Sequence, residues 1–229
     1  MKRSHIVPVL ALLGASGLHA EEEPAKGFAA FGLAHSAFHA RSGELQGAPG
    51  TTPPGVTASV NSVNTAVVEL KYSFATNWSA DLGFGYPPRV DLIAGGTAAG
   101  LGKVAEAKAW FPHLTVSYHL PTGTAVTPYL GAGVHRTWFS GARTTPAYDG
   151  AVQGTATDAK VKSDVGPVLR LGAEVALPGG WVADVLYLKY WIKSQAILTT
   201  QTPGAGSIER RLDLRAKPDI FAVLIGRRF

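Results

Sequence analysis

The sequence has 229 residues, 27 glycines, no cysteine and a formal net charge of +5, and 46% of its residues are hydrophobic. The absence of cysteine excludes a fold held by disulfides, and so small a charge gives no support for nucleic-acid binding. An apolar, glycine-rich chain suits both a membrane β-barrel and a soluble β-sandwich, so the pattern along the chain has to distinguish them.

The beginning of the chain has the features of an export signal. A basic pair, Lys2 and Arg3, precedes an apolar stretch over residues 6–13 that is too short to span a bilayer. The pattern predicts a signal peptide over residues 1–20 and an exported domain over residues 21–229, with a short buried helix as the alternative. No later stretch reaches eighteen apolar residues, so no transmembrane helix is expected.

The rest of the chain alternates between apolar and polar or small residues, which is the period of β-strands. Turn residues divide it into eight predicted strands. Their bounds are Gly27–Phe38, Asn64–Phe74, Trp78–Tyr86, Phe111–Leu120, Thr127–Phe139, Gly166–Leu177, Trp181–Ile197 and Ile208–Phe229.

The connections between these strands alternate in length. Those after the second, fourth and sixth strands are tight turns, whereas the others are long. Outer-membrane β-barrels have this asymmetry, with short periplasmic turns and long extracellular loops, and a soluble Greek-key sandwich has no reason for it. The long connections lie near residues 39–63, 87–110, 140–165 and 198–207.

Two features indicate that the apolar face of each strand points outward to lipid. Aromatic residues gather at strand ends, with Trp78 and Trp181 near short turns and Tyr86 and Phe111 near long connections, as in the interfacial belts of membrane proteins. The opposite face carries glycine and a few charges, which a narrow lumen accepts and a soluble core does not. A water-soluble barrel with the apolar face inward has the same period and is the alternative. The predicted lumen charge cluster is Glu69, Lys71, Asp81, Arg170, Glu174 and Asp184.

These charges are expected to pair with one another low in the barrel, with Arg170 nearer mid-height, and to hold it shut. An apolar molecule entering from outside would then have to leave sideways into lipid. The predicted lateral gate is Pro87 and Pro88, near the tops of the third and fourth strands, because two prolines remove two ladder donors. The alternative is a strand that simply ends at its loop.

The upper lumen is predicted to form an apolar ligand pocket. Leu186, Leu188 and Tyr190 share the inward face of the seventh strand, which is an unusual composition for a porin lumen. Tyr129 and His135 are the candidates from the fifth strand. These five residues are the predicted ligand-binding set.

The chain ends in an alternating apolar stretch, "DIFAVLIGRRF". Closing a barrel in lipid requires the last strand to pair with the first, because an open edge in hydrocarbon is costly. A terminal Phe229 resembles the signal that barrel-assembly machinery recognises, although Arg227 stands where an aromatic is usual.

Three segments resemble the OmpW family of outer-membrane proteins. They are "AGLGKVAEAKAWFPHLTVSYHL" (Ala99–Leu120), "LPTGTAVTPYLGAGVHRTWF" (Leu120–Phe139) and the final "KPDIFAVLIGRRF", whereas residues 41–61 show no resemblance. The family implies an eight-stranded outer-membrane barrel with a narrow apolar pocket that opens outward and admits small hydrophobic molecules.

The expected function is therefore a passive outer-membrane route for small hydrophobic molecules. No GxSxG, HExxH, phosphate-binding loop or paired-cysteine motif occurs, so no enzyme activity, cofactor or metal is expected. The expected partners are outer-membrane lipid and lipopolysaccharide, the barrel-assembly machinery and the hydrophobic ligand, without nucleic acid. Three alternatives stay open: a closed surface barrel whose long loops, such as 140–165, bind an external partner, a soluble exported barrel that binds lipid, and an enzyme built from His135, Ser140 and Asp149.

Overall fold

The structure is a computed structural model that describes residues 26–229, so the predicted signal peptide lies outside the described residues. Within them, no helix is long and apolar enough to cross a bilayer. Over residues 26–229 there is one α-helix, α1 (Pro146–Ala151), and there are two 3-10 turns, Ala99–Leu101 and Pro178–Gly180. The strands are β1 (Gly27–Ala37), β2 (Ala40–Ser42), β3 (Gln46–Gly47), β4 (Val56–Val60), β5 (Val63–Ala75), β6 (Trp78–Gly85), β7 (Arg89–Gly96), β8 (Lys103–Trp110), β9 (His113–His119), β10 (Val126–Thr144), β11 (Ala156–Val161), β12 (Asp164–Ala176), β13 (Trp181–Tyr190), β14 (Ile192–Thr202), β15 (Gly206–Ala216) and β16 (Asp219–Arg228).

Eight of the strands close into an antiparallel barrel in the order β1, β5, β6, β9, β10, β12, β13, β16 and back to β1. At the closing seam Phe28 lies opposite Arg228, and the backbones of Gly27 and Phe229 exchange hydrogen bonds of 2.8 and 2.9 Å. The predicted eight-stranded barrel is confirmed. The last residue belongs to the seam, and its role as an assembly signal stays a prediction.

The apolar face of each barrel strand points outward. Leu33 on β1 is 71% exposed and Val223 on β16 is 61% exposed, although both are large and apolar. Trp78 and Trp181 are exposed near the short turns, as predicted for an aromatic belt. Phe111 is the exception. Its side chain is buried because it points inward, like those of His113, Thr115 and Ser117 at every second position of β9.

Glycine allows the narrow barrel to coil tightly. A Cβ atom at Gly133 on β10 would lie 2.0 Å from the carbonyl oxygen of Leu114 on β9, so no other residue fits there without moving the strands apart. In the periplasmic turn before β13, Gly179 and Gly180 have φ values of 72° and 78°, which L-residues rarely adopt.

The long connections contain strands, which corrects the expectation that they are loops. Above the barrel the chain continues as two antiparallel sheets. The first outer sheet consists of β4, β7, β8 and the upper half of β10, and the second consists of β2, β3, β11, β14 and β15. The two sheets enclose a core of their own, while residues of the outer strands nearest the barrel, such as Val90, Ala109 and Ile192, belong to the barrel core.

Short interruptions separate the barrel strands from the outer sheets. The predicted seventh strand is two strands divided at Trp191, and the predicted eighth is divided at Lys217 and Pro218. The predicted fifth strand extends without a break to Thr144. Apolar alternation continues across such points because each outer sheet also has one buried face, and this is why the sequence pattern alone did not locate them.

Candidate functional site

Inside the barrel, charged side chains from three strands meet in one buried group, as predicted. Its members, called here the charged group, are Glu69, Lys71, Arg170, Glu174 and Asp184, all at most 6% exposed. Arg170 donates from Nη1 and Nη2 to the two carboxylate oxygens of Glu69 at 2.6 and 2.7 Å, and its Nη2 lies 3.4 Å from Asp184. Lys71 donates to Glu174 and lies 3.7 Å from Glu69. Every charge in the group therefore has an opposite partner.

The sixth predicted charge, Asp81, is buried beside this group but is held by hydroxyls. Ser79, Ser117 and Thr115 donate to its carboxylate at 2.8, 2.5 and 3.3 Å. Among the described residues it makes no ion pair, so the prediction that all six charges pair is wrong for Asp81.

Tyr129, a predicted ligand contact, lies within the charged group. Its hydroxyl donates to Asp184 at 2.8 Å and accepts from Arg170 at 3.1 Å. Its ring centroid lies 4.8 Å from the Arg170 guanidinium and 5.0 Å from the Lys71 ammonium. Tyr129 thus forms part of the floor of the lumen, below the apolar cavities described next.

The charged group separates a polar vestibule from an apolar upper lumen. On the periplasmic side lies an open space of about 580 Å³, lined by Lys71, His119 and Glu174 among others. Arg228 reaches in from this side and donates to Glu174 at 2.8 Å. An apolar molecule could cross this floor only by breaking buried ion pairs, which leaves uncompensated charges in a low-dielectric interior.

Directly above the charged group the lumen is apolar. Leu186, Leu188 and Tyr190 line a cavity of about 30 Å³, and Glu69 lies at its lower end. The Tyr190 hydroxyl is hydrogen-bonded to His113 Nδ1 at 2.7 Å, which holds the ring in the wall. The structure thus brings three of the five predicted ligand contacts together around one space.

His135, the remaining predicted contact, lies beside this cavity. Its Nε2 is 3.0 Å from the carbonyl oxygen of Trp191, its Nδ1 is 3.0 Å from the Thr137 hydroxyl, and its ring centroid lies 4.9 Å from that of Tyr190. These contacts make His135 a support for the Tyr190 ring.

Two further apolar cavities continue outward between the outer sheets. One of about 90 Å³, called here the middle cavity, shares Phe111 with the cavity below it, and one of about 80 Å³ shares Leu92 and Leu198 with the middle cavity. Three apolar spaces therefore follow one another from the extracellular end to the charged group. Walls of the middle cavity include Val90, Ala107, Ala109, Phe139, Ile192 and Ala216.

Sequence reasoning missed the residues of the middle cavity because it assigned the segment before Phe111 to a loop. The signal was present in "KVAEAKAW", where Ala105, Ala107 and Ala109 alternate with Glu106 and Lys108. Alanine is a weak strand former and carries little hydrophobic signal, so the alternation is easy to overlook.

Pro87 and Pro88 lie at an interruption of the barrel wall. β5 pairs with β6 as far as Gly85, and pairing of β4 with β7 starts again at Leu92. An open cleft of about 560 Å³ lies between, lined in part by both prolines. The cleft faces β5, the second barrel strand; on the side of β8 the wall is closed, since the Ala109 N–H donates to the Pro88 carbonyl at 3.0 Å. Whether this cleft acts as a gate stays a prediction.

The extracellular end of the interior contains buried polar atoms that the sequence did not single out. Arg210 on β15 is 2% exposed, donates from Nε to the Thr51 carbonyl at 3.0 Å, and makes no ion pair with any described residue. Its Nη1 makes no hydrogen bond with another described residue, and the hydroxyl of Tyr148 on α1 is buried beside Arg210 and Thr200. Tyr148 also lines the outermost cavity.

Glu106 is the centre of an ion-pair network at the rim of the middle cavity. Lys103 Nζ and Arg143 Nε each donate to its carboxylate at 2.6 Å, and Arg89 Nη1 lies 3.7 Å away. The hydrogen bond from Lys103, aided by that from Arg143, lowers the pKa of Glu106 from 4.5 to about 2.

This shift predicts a pH dependence of stability. Because the folded pKa is the lower one, the stabilisation by Glu106 is present above the unfolded value of about 4.5 and is lost as the pH falls through about 2. Unfolding free energies of the wild type and Glu106→Gln, measured in lipid vesicles from neutral to acidic pH, should differ by a constant amount above about pH 5 and converge below it. A difference that stays constant down to about pH 2 would show that Glu106 is not held in its charged form.

Comparison with known proteins agrees with this architecture. The model of the OmpW family matches residues 34–229. The dibenzothiophene metabolism operon protein PahQ of Pseudomonas aeruginosa is 27% identical over 187 residues, covering 79% of this chain and 78% of PahQ. The crystal structure of the outer membrane protein OprG of Pseudomonas aeruginosa superposes with a TM-score of 0.79 at 23% identity, covering 90% of this chain and 97% of OprG. The solid-state NMR structure of outer membrane protein AlkL in lipid bilayers has a TM-score of 0.63 at 20% identity, covering 94% of this chain and 95% of AlkL.

Proposed function

The chain belongs to the OmpW family of outer-membrane proteins, and we propose that it gives small hydrophobic molecules a passive route through the bacterial outer membrane. The molecule enters the apolar cavities from outside, stops above the charged group and leaves sideways into the bilayer. It crosses unchanged, and its concentration gradient drives the movement.

The observation that carries this proposal is the order of the spaces inside the molecule. Apolar cavities lie one after another on the extracellular side, and a buried floor of ion pairs lies beneath them. Apolar walls bind apolar molecules by removing their surface from water. A closed floor makes an axial exit costly, which favours an exit through the wall.

The name of one relative supports the same class of substrate. PahQ is named for an operon of dibenzothiophene metabolism, and dibenzothiophene is an uncharged, planar aromatic compound. A molecule of this class offers no hydrogen-bond donors, and most residues that line the middle cavity, such as Val90, Ala107 and Ile192, are apolar.

Uptake by cells tests the proposal. Cells with an intact lipopolysaccharide layer that make this protein would be compared with cells that make a plugged eight-stranded barrel, using a small apolar fluorescent probe and a small sugar. We expect faster entry of the probe alone. Equal entry of the probe in both strains would contradict a hydrophobic route and favour the surface-binding alternative.

The lateral exit makes a separate prediction. Replacing Pro87 and Pro88 with valine restores two backbone donors at the cleft, so β7 should extend its pairing toward β5 and narrow the opening. We expect probe uptake several-fold below that of the wild type. The matched control is the same double exchange at Pro121 and Pro178 in two periplasmic turns, which should leave uptake unchanged. Undiminished uptake in the first variant would place the exit elsewhere.

A further inference from the structure

A row of basic side chains crosses three neighbouring strands on the outer surface of the second outer sheet. Arg215 on β15 lies directly opposite Arg41 on β2 at one side and Lys193 on β14 at the other. All three are exposed, and the exposed Lys217 follows two residues further toward the barrel. These four residues are called here the basic row.

The basic row has no carboxylate partner. Among the described residues none of its four side chains forms an ion pair, whereas other exposed basic residues of the extracellular region do, such as Lys160 with Asp158 at 3.0 Å and Arg211 with Glu209 at 2.7 Å. Like charges directly opposite each other on a sheet repel. The row therefore destabilises the isolated protein, and a bound external anion would relieve this repulsion.

Nearby carboxylates are engaged by other groups. Asp164 accepts the backbone N–H of Lys193 at 2.8 Å, and Asp213 accepts from the amide of Gln195 at 2.8 Å. Asp219, below the row, pairs with Lys189 at 2.6 Å. These three carboxylates therefore do not neutralise the four positive charges of the row.

The position of the row relative to the lipid face indicates which anions are within its reach. Phe221, an exposed lipid-facing residue of β16, is four residues from Lys217 and six from Arg215, which is about 13 and 20 Å along the chain at roughly 3.3 Å per residue and less in height because barrel strands tilt. The row thus lies beyond the lipid-facing residues on the extracellular side, which is the side of the phosphate-bearing outer leaflet. The planar guanidinium of arginine binds phosphate oxygens through two parallel hydrogen bonds. Arg41 and Arg215 therefore suit a phosphate group in geometry as well as in charge.

We propose that the basic row is a binding site for the phosphorylated sugar head of lipopolysaccharide. The site anchors the second outer sheet to the outer leaflet at a fixed height. It is independent of the transport route, because its side chains point away from the cavities.

The test measures lipid A bound per barrel by native mass spectrometry of the full chain in a non-ionic detergent. The probes are bisphosphorylated lipid A, the same lipid A after enzymatic removal of its phosphates, and inorganic phosphate as a competitor. The variant is the triple exchange Arg41→Gln, Lys193→Gln and Arg215→Gln. A charge-matched control removes three exposed basic residues that already have carboxylate partners: Arg143→Gln, Lys160→Gln and Arg211→Gln.

We expect the triple variant to bind bisphosphorylated lipid A roughly a hundredfold more weakly, since each basic side chain near an anionic surface contributes about a factor of five. The control should bind like the wild type, dephosphorylated lipid A should bind weakly to all three proteins, and rising salt should weaken the wild-type complex. Equal binding by the triple variant, or by dephosphorylated lipid A, would overturn the proposal. Full competition by inorganic phosphate would show a site for free phosphate. The salt series and the dephosphorylated probe use the wild type, so the test stands even if the triple variant folds poorly.

Discussion

Replacing Arg170 with methionine will lower the free energy of unfolding by about 3–5 kcal/mol, because it removes one partner of a buried ion pair. Arg170 satisfies both carboxylate oxygens of Glu69, lies 3.4 Å from Asp184, and donates to the Tyr129 hydroxyl. Without the guanidinium, Lys71 and Arg228 are left to face three carboxylates, of which Glu69 and Asp184 are 2% and 0% exposed. Methionine fills similar space, so the loss measures the charge rather than a cavity.

Urea unfolding of the protein folded into lipid vesicles measures this loss. Arg228→Gln is the control, since Arg228 also pairs with the charged group but its side chain is 42% exposed; we expect a cost below about 1 kcal/mol. Equal effects of the two exchanges would mean that the interior of the barrel is wet and the floor is not closed.

Filling the middle cavity will abolish most of the uptake of an apolar probe. Ala107 is 8% exposed on β8 and contributes to the wall of this cavity. In Ala107→Phe the larger ring occupies space that the ligand would need, at an overpacking cost of about 1–3 kcal/mol. We expect probe uptake to fall to the level of cells that make the plugged barrel.

Ala132→Phe provides the matched control. Ala132 lies on the lipid face of β10, between Val116 and Leu169 on the neighbouring strands, where a ring meets only lipid. The same chemical exchange should therefore leave uptake unchanged. Similar loss of uptake in both variants, at equal amounts of folded protein, would indicate an effect on assembly rather than on a ligand path.

The barrel was predictable because the lipid face leaves a strict signal. Residues such as Leu169, Leu171 and Val223 must be apolar at every second position, and short turns such as Pro178–Gly180 fix where the strands end. The same alternation predicted the charged group, because charged side chains at inward positions of a closed barrel point into its lumen. The alternation along a strand does not give the height of a side chain in the barrel or its partners. It therefore did not show that Asp81 is held by hydroxyls or that Tyr129 lies within the charged group.

The outer sheets were not predictable in the same way. Their buried faces are built from alanines such as Ala105 and Ala107, which signal neither strand nor core strongly. Long-range pairing also decides their existence: β14 pairs with β11 and β15, and β2 extends that sheet from the other end of the chain. Without those partners, the alternation in each segment is too short to separate a strand from a loop.

The position of a bound apolar molecule would show whether the cavities form the route. A crystal structure of the protein soaked with a brominated naphthalene would locate the bromine by its anomalous signal. We expect bromine between the outer sheets or beside Leu186 and Leu188, above the charged group. Bromine found only on the lipid face, or below Arg170 in the polar vestibule, would contradict a route through these cavities.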